Sequence, residues 1–426
     1  MGLDRKKLTL GVTGSFGSGC TTLTKALESF GYKRISLASE IRKTWNETKG
    51  KDEGTAPVTI PPRKELQDFG NELRKKHGSE FLAEKAVEAA DQLSGDSFVV
   101  FDGIRNATEV DFLRAVFPNF FLIAVWCPQT DRWERIKDQY GGKYKEFLYD
   151  DNRDRNEEVP YGQQVQLCVD EADVVIRNDE IHSSRAAAIK AIEKRIKEYI
   201  DLLGGHRLRS PIHDETAMAL AYTNSLQSMC LKRSVGAVIT DKKEQRKIIS
   251  TGYNENPDPI QPCVTKFGYC YKDSCLKQHF ESLLTAETEC PYCHSKLASL
   301  GENYKCPSCS RSLIPAFSPD RGMSRCTAIH AENMAIMNAS GKNLENTILY
   351  TTTFPCAQCA RQIAYSKISE VVYVEPYPDP DSARFLSELC NIPVRMFEGV
   401  KARAFNRVFG KVRQENEKKY SLFKSE

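Results

Sequence analysis

Two short segments in the last third of the chain constrain it most. "IHAENMAIMNA" places His330, Ala331 and Glu332 at the start of an apolar-periodic run, and "TTFPCAQCARQIA" places Pro355, Cys356, Ala357, Gln358 and Cys359 at the start of another. The periodicity predicts a helix after each motif. His330, Cys356 and Cys359 are residue types that zinc takes, and three protein ligands leave the fourth tetrahedral position open for water. Zinc lowers the pKa of such a water toward ~7 and makes hydroxide available. Glu332 lies two residues from a ligand. It can therefore stand beside the metal without binding it and carry a proton. A purely structural zinc site explains neither this carboxylate nor the missing fourth ligand.

The cysteines divide the chain. Of fifteen, twelve lie between Cys230 and Cys390, and only Cys20, Cys127 and Cys168 precede them. Clustered thiols in a reducing compartment point to metal rather than to disulfides. A chain of 426 residues is long for one core, and the change in chemistry places a boundary near "DLLGGHRLRSP". Two domains are expected, 1–205 and 206–426. A formal charge of +3 gives no footing for nucleic acid or membrane. No apolar run reaches the ~18 residues that span a bilayer. The N-terminal "MGLDRKKLTLGV" lacks a secretion-like stretch, so a cytoplasmic location is expected.

The first half reads as strand, glycine loop and helix. In "GVTGSFGSGCTTL", Gly14 and Gly19 keep the spacing of the phosphate-binding pattern G-x-x-x-x-G-K-[ST], with Gly17 between them and Thr21 and Thr22 after. The lysine position holds Cys20. A thiol is neutral or anionic and cannot bring positive charge to phosphates. The backbone N–H cradle at a helix N-terminus survives that exchange. "SFVVFDGIRN" is an apolar strand ending in Asp102, a position that suits Mg²⁺ in such folds. "NFFLIAVWC" and "ADVVIRND" are further buried strands, with helical segments at 80–93 and 183–202 between and after. This alternation predicts a parallel sheet covered by helices. Three readings of the loop stand: a nucleotide site without efficient phosphoryl transfer, a kinase with a substitute lysine or arginine, and a glycine-rich turn without ligand. Nothing nearby argues for Cys20 as a nucleophile.

About residues 7–200 resemble the small P-loop kinases of nucleosides, nucleotides and dephospho-coenzyme A, by the loop, "VVFDG" and the arginines of "DDNRDRNEE". That resemblance implies a nucleotide and Mg²⁺ as ligands of the loop. In the second half, H-x-E followed by P-C-x-x-C is the signature of zinc-dependent base deaminases. The blocks "RSVGAV" and "GYNENP", with the sequence around both motifs, make roughly 212–400 resemble the deoxycytidylate deaminases. The resemblance implies a mixed sheet between helices. It also implies catalysis by Glu332 at a zinc held by His330, Cys356 and Cys359, a sugar and base contact from Asn254, a phosphate contact from Arg233, and Tyr377 in the nucleotide pocket. Asn254 also reads as a turn residue. Departures from the family pattern occur at "AYSKI" and at Glu255.

The family pattern is interrupted between Pro257 and Arg325. Cys290, Cys293, Cys306 and Cys309 give C-x₂-C-x₁₂-C-x₂-C, the spacing of a tetrahedral four-cysteine zinc ribbon, with iron as the rival metal. The ribbon is placed at about 263–315. It serves as a staple for a small insertion or, less in keeping with the charge, as a nucleic-acid grip. Cys263, Cys270 and Cys275, with Cys230, His279 and Cys326, are either a third zinc site or unpaired thiols.

The expected architecture is α/β: a P-loop NTPase-like parallel sheet domain, then a cytidine-deaminase-like α/β/α domain with an inserted zinc ribbon. A P-loop domain fused to such a deaminase resembles the bacterial anti-phage deoxycytidine triphosphate deaminases, which deplete the deoxycytidine nucleotide pool. The resemblance implies dCTP or dCMP as substrate, a homo-oligomer and a regulatory role for the loop domain; a regulatory RNA or protein partner stays open. Two alternatives stand: a dCMP deaminase supplying thymidylate synthesis, and a nucleic-acid editing deaminase.

Overall fold

The computed structural model describes residues 4–48, 63–155, 157, 159–180, 184–244, 247–284, 287–297, 299, 301, 304–318, 325–375, 380–411 and 414. The chain forms two compact units, Met1–Thr216 with Met396–Glu426, and Ala217–Arg395.

The first unit is built on the strands β1 (Thr9–Thr13), β2 (Tyr32–Ser36), β3 (Phe98–Asp102), β4 (Phe120–Trp126) and β5 (Val174–Arg177), with β11 (Gly399–Val400) at the edge. The order is β11-β5-β4-β1-β3-β2. β1 runs parallel to β3 and β4, β2 to β3, and β4 to β5. The continuous apolar run of β4 is what a sheet covered on both faces requires, and every residue of β1 and all but Trp126 of β4 are buried. The helices Cys20–Glu28 and Arg185–Gly204 pack their apolar faces on this sheet through Leu23, Leu27, Ile192 and Ile196.

The parallel sheet agrees with the pattern read from the sequence. The boundary differs at the C-terminus. Residues 396–411, expected with the second domain, group with the first unit. β11 pairs antiparallel with β5, and Val400, Ala404, Val408 and Phe409 join the first core. Lys401 is buried, and its Nζ donates to the carbonyls of Val169 (3.1 Å) and Asp170 (2.7 Å). A buried ammonium needs such acceptors, so this return is a specific contact.

The second unit holds β6 (Gly236–Asp241), β7 (Ile248–Tyr253), β8 (Thr347–Thr353), β9 (Glu370–Glu375) and β10 (Val394–Met396), in the order β10-β9-β8-β6-β7. β6 pairs antiparallel with β7 and β8, and β8 pairs parallel with β9. A mixed sheet is what the resemblance implies. β8 is buried throughout, and the helices Ala331–Asn338 and Ala357–Tyr365 pack on the sheet through Ala331, Ala335, Ala360 and Ile363.

Among the described residues no helix is long and apolar enough to cross a membrane.

Candidate metal centre and glycine loop

The two metal motifs sit where helices begin. His330 caps the helix Ala331–Asn338 and Cys356 caps the helix Ala357–Tyr365, both with extended backbone. Residues at that place point past the helix N-terminus, where exposed N–H groups favour negative charge. Nδ1 of His330 lies 3.3 Å from Sγ of Cys356 and 3.3 Å from Sγ of Cys359. The three donor atoms lie within 4.8 Å of one another, so the set fits one tetrahedral ion with a position left over. The neighbouring Cys359 thiol, together with His330, holds the Cys356 thiol down at about 4. A site that stabilises a thiolate is prepared for a cation.

Glu332 lies in the first turn of its helix and is buried. Burial pushes its carboxyl up to about 7, into the range where a proton shuttle works best near neutrality. A cation on the three ligands favours its ionised form.

The helix carrying His330 and Glu332 lies close on β7 because residue 252 is glycine. A Cβ there would meet the carbonyl oxygen of Ala331 at 2.3 Å and the nitrogen of Ala335 at 2.4 Å. Both are backbone atoms and cannot rotate away. Ser250 Oγ donates to Ala335 O at 2.7 Å and Asn338 Nδ2 to Thr251 O at 2.9 Å, fixing the helix along the strand. Gly252→Ala is therefore expected to destabilise the protein by about 1–3 kcal/mol, the usual range for overpacking, and to weaken zinc retention. Thermal melting with zinc analysis checks this; wild-type values for both would mean that the helix has room to move.

Asn254 is buried, and both ends of its amide are engaged locally. Oδ1 accepts from the Val235 N–H at 2.6 Å, and Nδ2 donates to Arg233 O at 2.9 Å. It ties the loop before β6 to the end of β7, which is the turn role. Arg233 is exposed. Tyr377 lies outside the described residues.

The four-cysteine set forms as the spacing predicts. Cys290, Cys293, Cys306 and Cys309 bring their sulfurs within 4.8 Å of one another. The two knuckles repeat the same turn. His294 N–H donates to Cys290 O at 2.9 Å and Ser310 N–H to Cys306 O at 2.8 Å, with left-handed backbone at His294 and Ser310 (φ 58° and 56°). Around them the apolar cluster is small: Leu276, Phe280, Leu297 and Leu313 with two of the cysteines. Among the described residues, metal-ligating side chains gather in these two groups; Cys230, Cys263, Cys270, Cys275, His279 and Cys326 form no third.

In the first unit the glycine loop leads into the helix Cys20–Glu28 with Gly14, Gly17 and Gly19 at φ 151°, 78° and 108°. A Cβ at Gly14 would stand 2.5 Å from Val125 O, and one at Gly19 2.2 Å from Asn178 Nδ2. These glycines are thus required by space as well as by backbone angle. Thr22 N–H donates to Gly19 O at 2.9 Å. Cys20 turns its thiol into the loop, 3.5 Å from Ser18 Oγ and 3.9 Å from Gly14 O, and burial pushes it up to about 12. The thiol is neutral. The loop opens on a cavity of about 1100 Å³ lined also by Arg34, Arg42, Asp102, Arg105, Arg135 and Asn178. Asp102 is held by Arg34, whose Nε lies 2.7 Å from Oδ2. Arg34, Arg135 and Asn178 escaped the sequence reading. No local pattern marks them; the one hint is that Arg132 and Arg135 share a helix face just after a strand.

Residues 211–375 match the family model for the cytidine and deoxycytidylate deaminase zinc-binding region. That stretch holds both metal motifs and lies largely within the second unit. The deoxycytidylate deaminase of Saccharomyces cerevisiae is 26% identical over 223 residues, covering 52% of this chain and 54% of the yeast protein. The match thus spans little more than half of that relative. A UPF0200 protein of Methanothermobacter thermautotrophicus is 29% identical over 149 residues, covering 34% of this chain and 70% of that protein. Among solved structures, the dCMP deaminase of cyanophage S-TIM5 in complex with dCMP and dUMP covers 45% of this chain and 100% of its own, with 18% identity and a TM-score of 0.27. The APS kinase of Mycobacterium tuberculosis in complex with AMPPNP and APS covers 46% of this chain and 98% of its own, with 18% identity and a TM-score of 0.27.

Proposed function

We propose that the protein deaminates a deoxycytidine nucleotide hydrolytically to the deoxyuridine nucleotide, with dCTP as the main substrate and dCMP also accepted. The observation that carries this reading is the buried Glu332 beside the converged His330, Cys356 and Cys359. These three side chains would hold zinc. The metal's contribution, when bound, is to make hydroxide available near neutral pH. Glu332 takes the proton released by the attacking water and delivers it to the pyrimidine ring nitrogen. A new C–O bond forms at C4. Glu332 then moves the hydroxyl proton to the exocyclic amine, the C4–N bond breaks, and ammonia leaves. Burial raises the carboxyl and a cation on the three ligands would draw it back toward the ionised form, opposing pulls that suit a group which must both take and return a proton.

Asn254, Arg233 and Tyr377 remain the proposed nucleotide contacts. For Asn254 this requires exchanging its present loop hydrogen bonds for the sugar. The ribbon is proposed to hold a structural zinc, and the remaining cysteines to take a third zinc only on rearrangement. The proposed setting is a cytoplasmic homo-oligomer that depletes dCTP during phage infection, gated by its loop domain. Incubation with dCMP, dCTP and single-stranded DNA, followed by assay of uracil products, tests the reading. Product from dCTP supports it. Product from dCMP alone favours a supply role for thymidylate, and product only in DNA favours editing.

The loop, Gly14 to Thr22, is proposed to bind a nucleotide without transferring phosphate. Cys20 is neutral and turned inward, which removes the cation that kinases place there. With labelled ATP and nucleoside or nucleotide acceptors, negligible turnover is expected. Rapid transfer would show that another cation restores the chemistry.

A further inference from the structure

The cavity of the first unit keeps the glycines of a phosphate loop but changes the cations around it. In such loops a lysine, and a Mg²⁺ held by a hydroxyl and an aspartate, neutralise the β- and γ-phosphates. The lysine is replaced by the inward thiol of Cys20. The aspartate is Asp102, 5% exposed and already closed by Arg34, which donates from Nε at 2.7 Å and again from a terminal nitrogen to the same oxygen. A dication at Asp102 would stand against that guanidinium. Asp102 with Thr21 therefore does not fit a Mg²⁺ site.

Besides Asp102 the cavity is lined by Asp131, Glu134 and Glu180; Glu134 pairs with Lys137 and Glu180 with Arg195, which leaves guanidiniums of the lining without a carboxylate. Among the described residues neither Arg42 nor Arg135 has a carboxylate partner, and both line the cavity with the loop. Arg135 is held by carbonyl oxygens alone, Asn178 O at 2.6 Å and Ser18 O at 3.4 Å. Asn178 Nδ2 donates to Ser18 O at 2.7 Å, so loop, asparagine and guanidinium form one fixed unit. A guanidinium parked on carbonyls keeps donors for phosphate oxygens, which it binds well.

We propose that this cavity binds a polyphosphate, a nucleoside triphosphate being the class that fits, in its metal-free form, with Arg135 and Arg42 supplying the charge that lysine and Mg²⁺ supply in kinases. The inference rests on the reading of the loop as a phosphate site. Absence of a dication bridging the phosphates also accounts for binding without transfer.

The test is calorimetric titration of the full-length protein with ATP and with inorganic triphosphate, each in excess Mg²⁺ and in EDTA. Both probes are expected to bind more tightly in EDTA, because Mg²⁺ converts them to the form the site does not take. Arg135→Ala is expected to weaken binding in EDTA by roughly ten- to a hundredfold, the worth of a charged hydrogen bond. Arg34→Gln, which frees Asp102, is expected to make Mg²⁺ favourable. Binding that needs Mg²⁺ in the wild type overturns this inference and leaves the phosphate loop standing. Unchanged affinity in Arg135→Ala overturns it as well. Failure of both probes in both conditions removes the phosphate loop, and this inference with it.

Discussion

Glu332→Gln is expected to leave a folded, zinc-loaded protein that binds deoxycytidine nucleotide and forms almost no deoxyuridine nucleotide. Glutamine keeps the shape of the buried side chain but cannot accept and return a proton. General acid–base groups contribute about 10²–10⁴ in rate. Glu332 would serve twice, at water activation and at departure of ammonia, so a loss near 10⁴-fold is expected, about 5 kcal/mol of barrier. The three ligands lie on other side chains, so their geometry survives the change. Zinc content and ammonia release are read on the same preparation. Deamination within a few-fold of wild type would falsify the assigned role and remove the case for this site as the active site. Replacing His330 or Cys356 should differ in kind, losing metal and activity together.

The other large effect concerns the ribbon. Cys290→Ser is expected to lose one zinc per chain and to unfold the insertion, while the zinc of His330, Cys356 and Cys359 stays. Structural zinc in small fingers supplies apparent folding energies of about 10–16 kcal/mol. The apolar cluster around this one, with Leu276, Phe280, Leu297 and Leu313 as its body, is too small to replace that. The buried Cys290 sulfur is 3.8 Å from that of Cys309. Serine there offers a poor ligand and leaves three thiolates crowded without their cation. Zinc stoichiometry and limited proteolysis of the insertion are the measurements. Equal zinc in mutant and wild type would show that the four cysteines do not share an ion.

Legibility followed the range over which each feature is specified. The ribbon is local: each knuckle is a short loop closed by its own N–H to carbonyl bonds, so cysteine spacing alone determined it. The same holds for the glycine loop, where positive φ and close contacts admit little else. Long apolar runs such as Phe120–Trp126 announced central strands, because burial on both faces leaves no alternation to misread. β2 gave no such announcement. It lies at the sheet edge, and Lys33 and Arg34 in it are exposed, so its sequence carries little hydrophobic signal.

Motif spacing, a short-range property of the chain, was enough to single out His330, Cys356 and Cys359 as a group that converges, with Glu332 beside it, while the order of strands in the second sheet came only with the fold. Packing between distant segments set the features that depend on partners far away in sequence. It returned β11 and Lys401 to the first unit. It tied the amide of Asn254 to the loop before β6. It closed Asp102 with Arg34 and placed Arg135 on the carbonyl of Ser18. Each depends on side chains of separate elements meeting across a packed sheet, and no pattern within either segment encodes such a meeting.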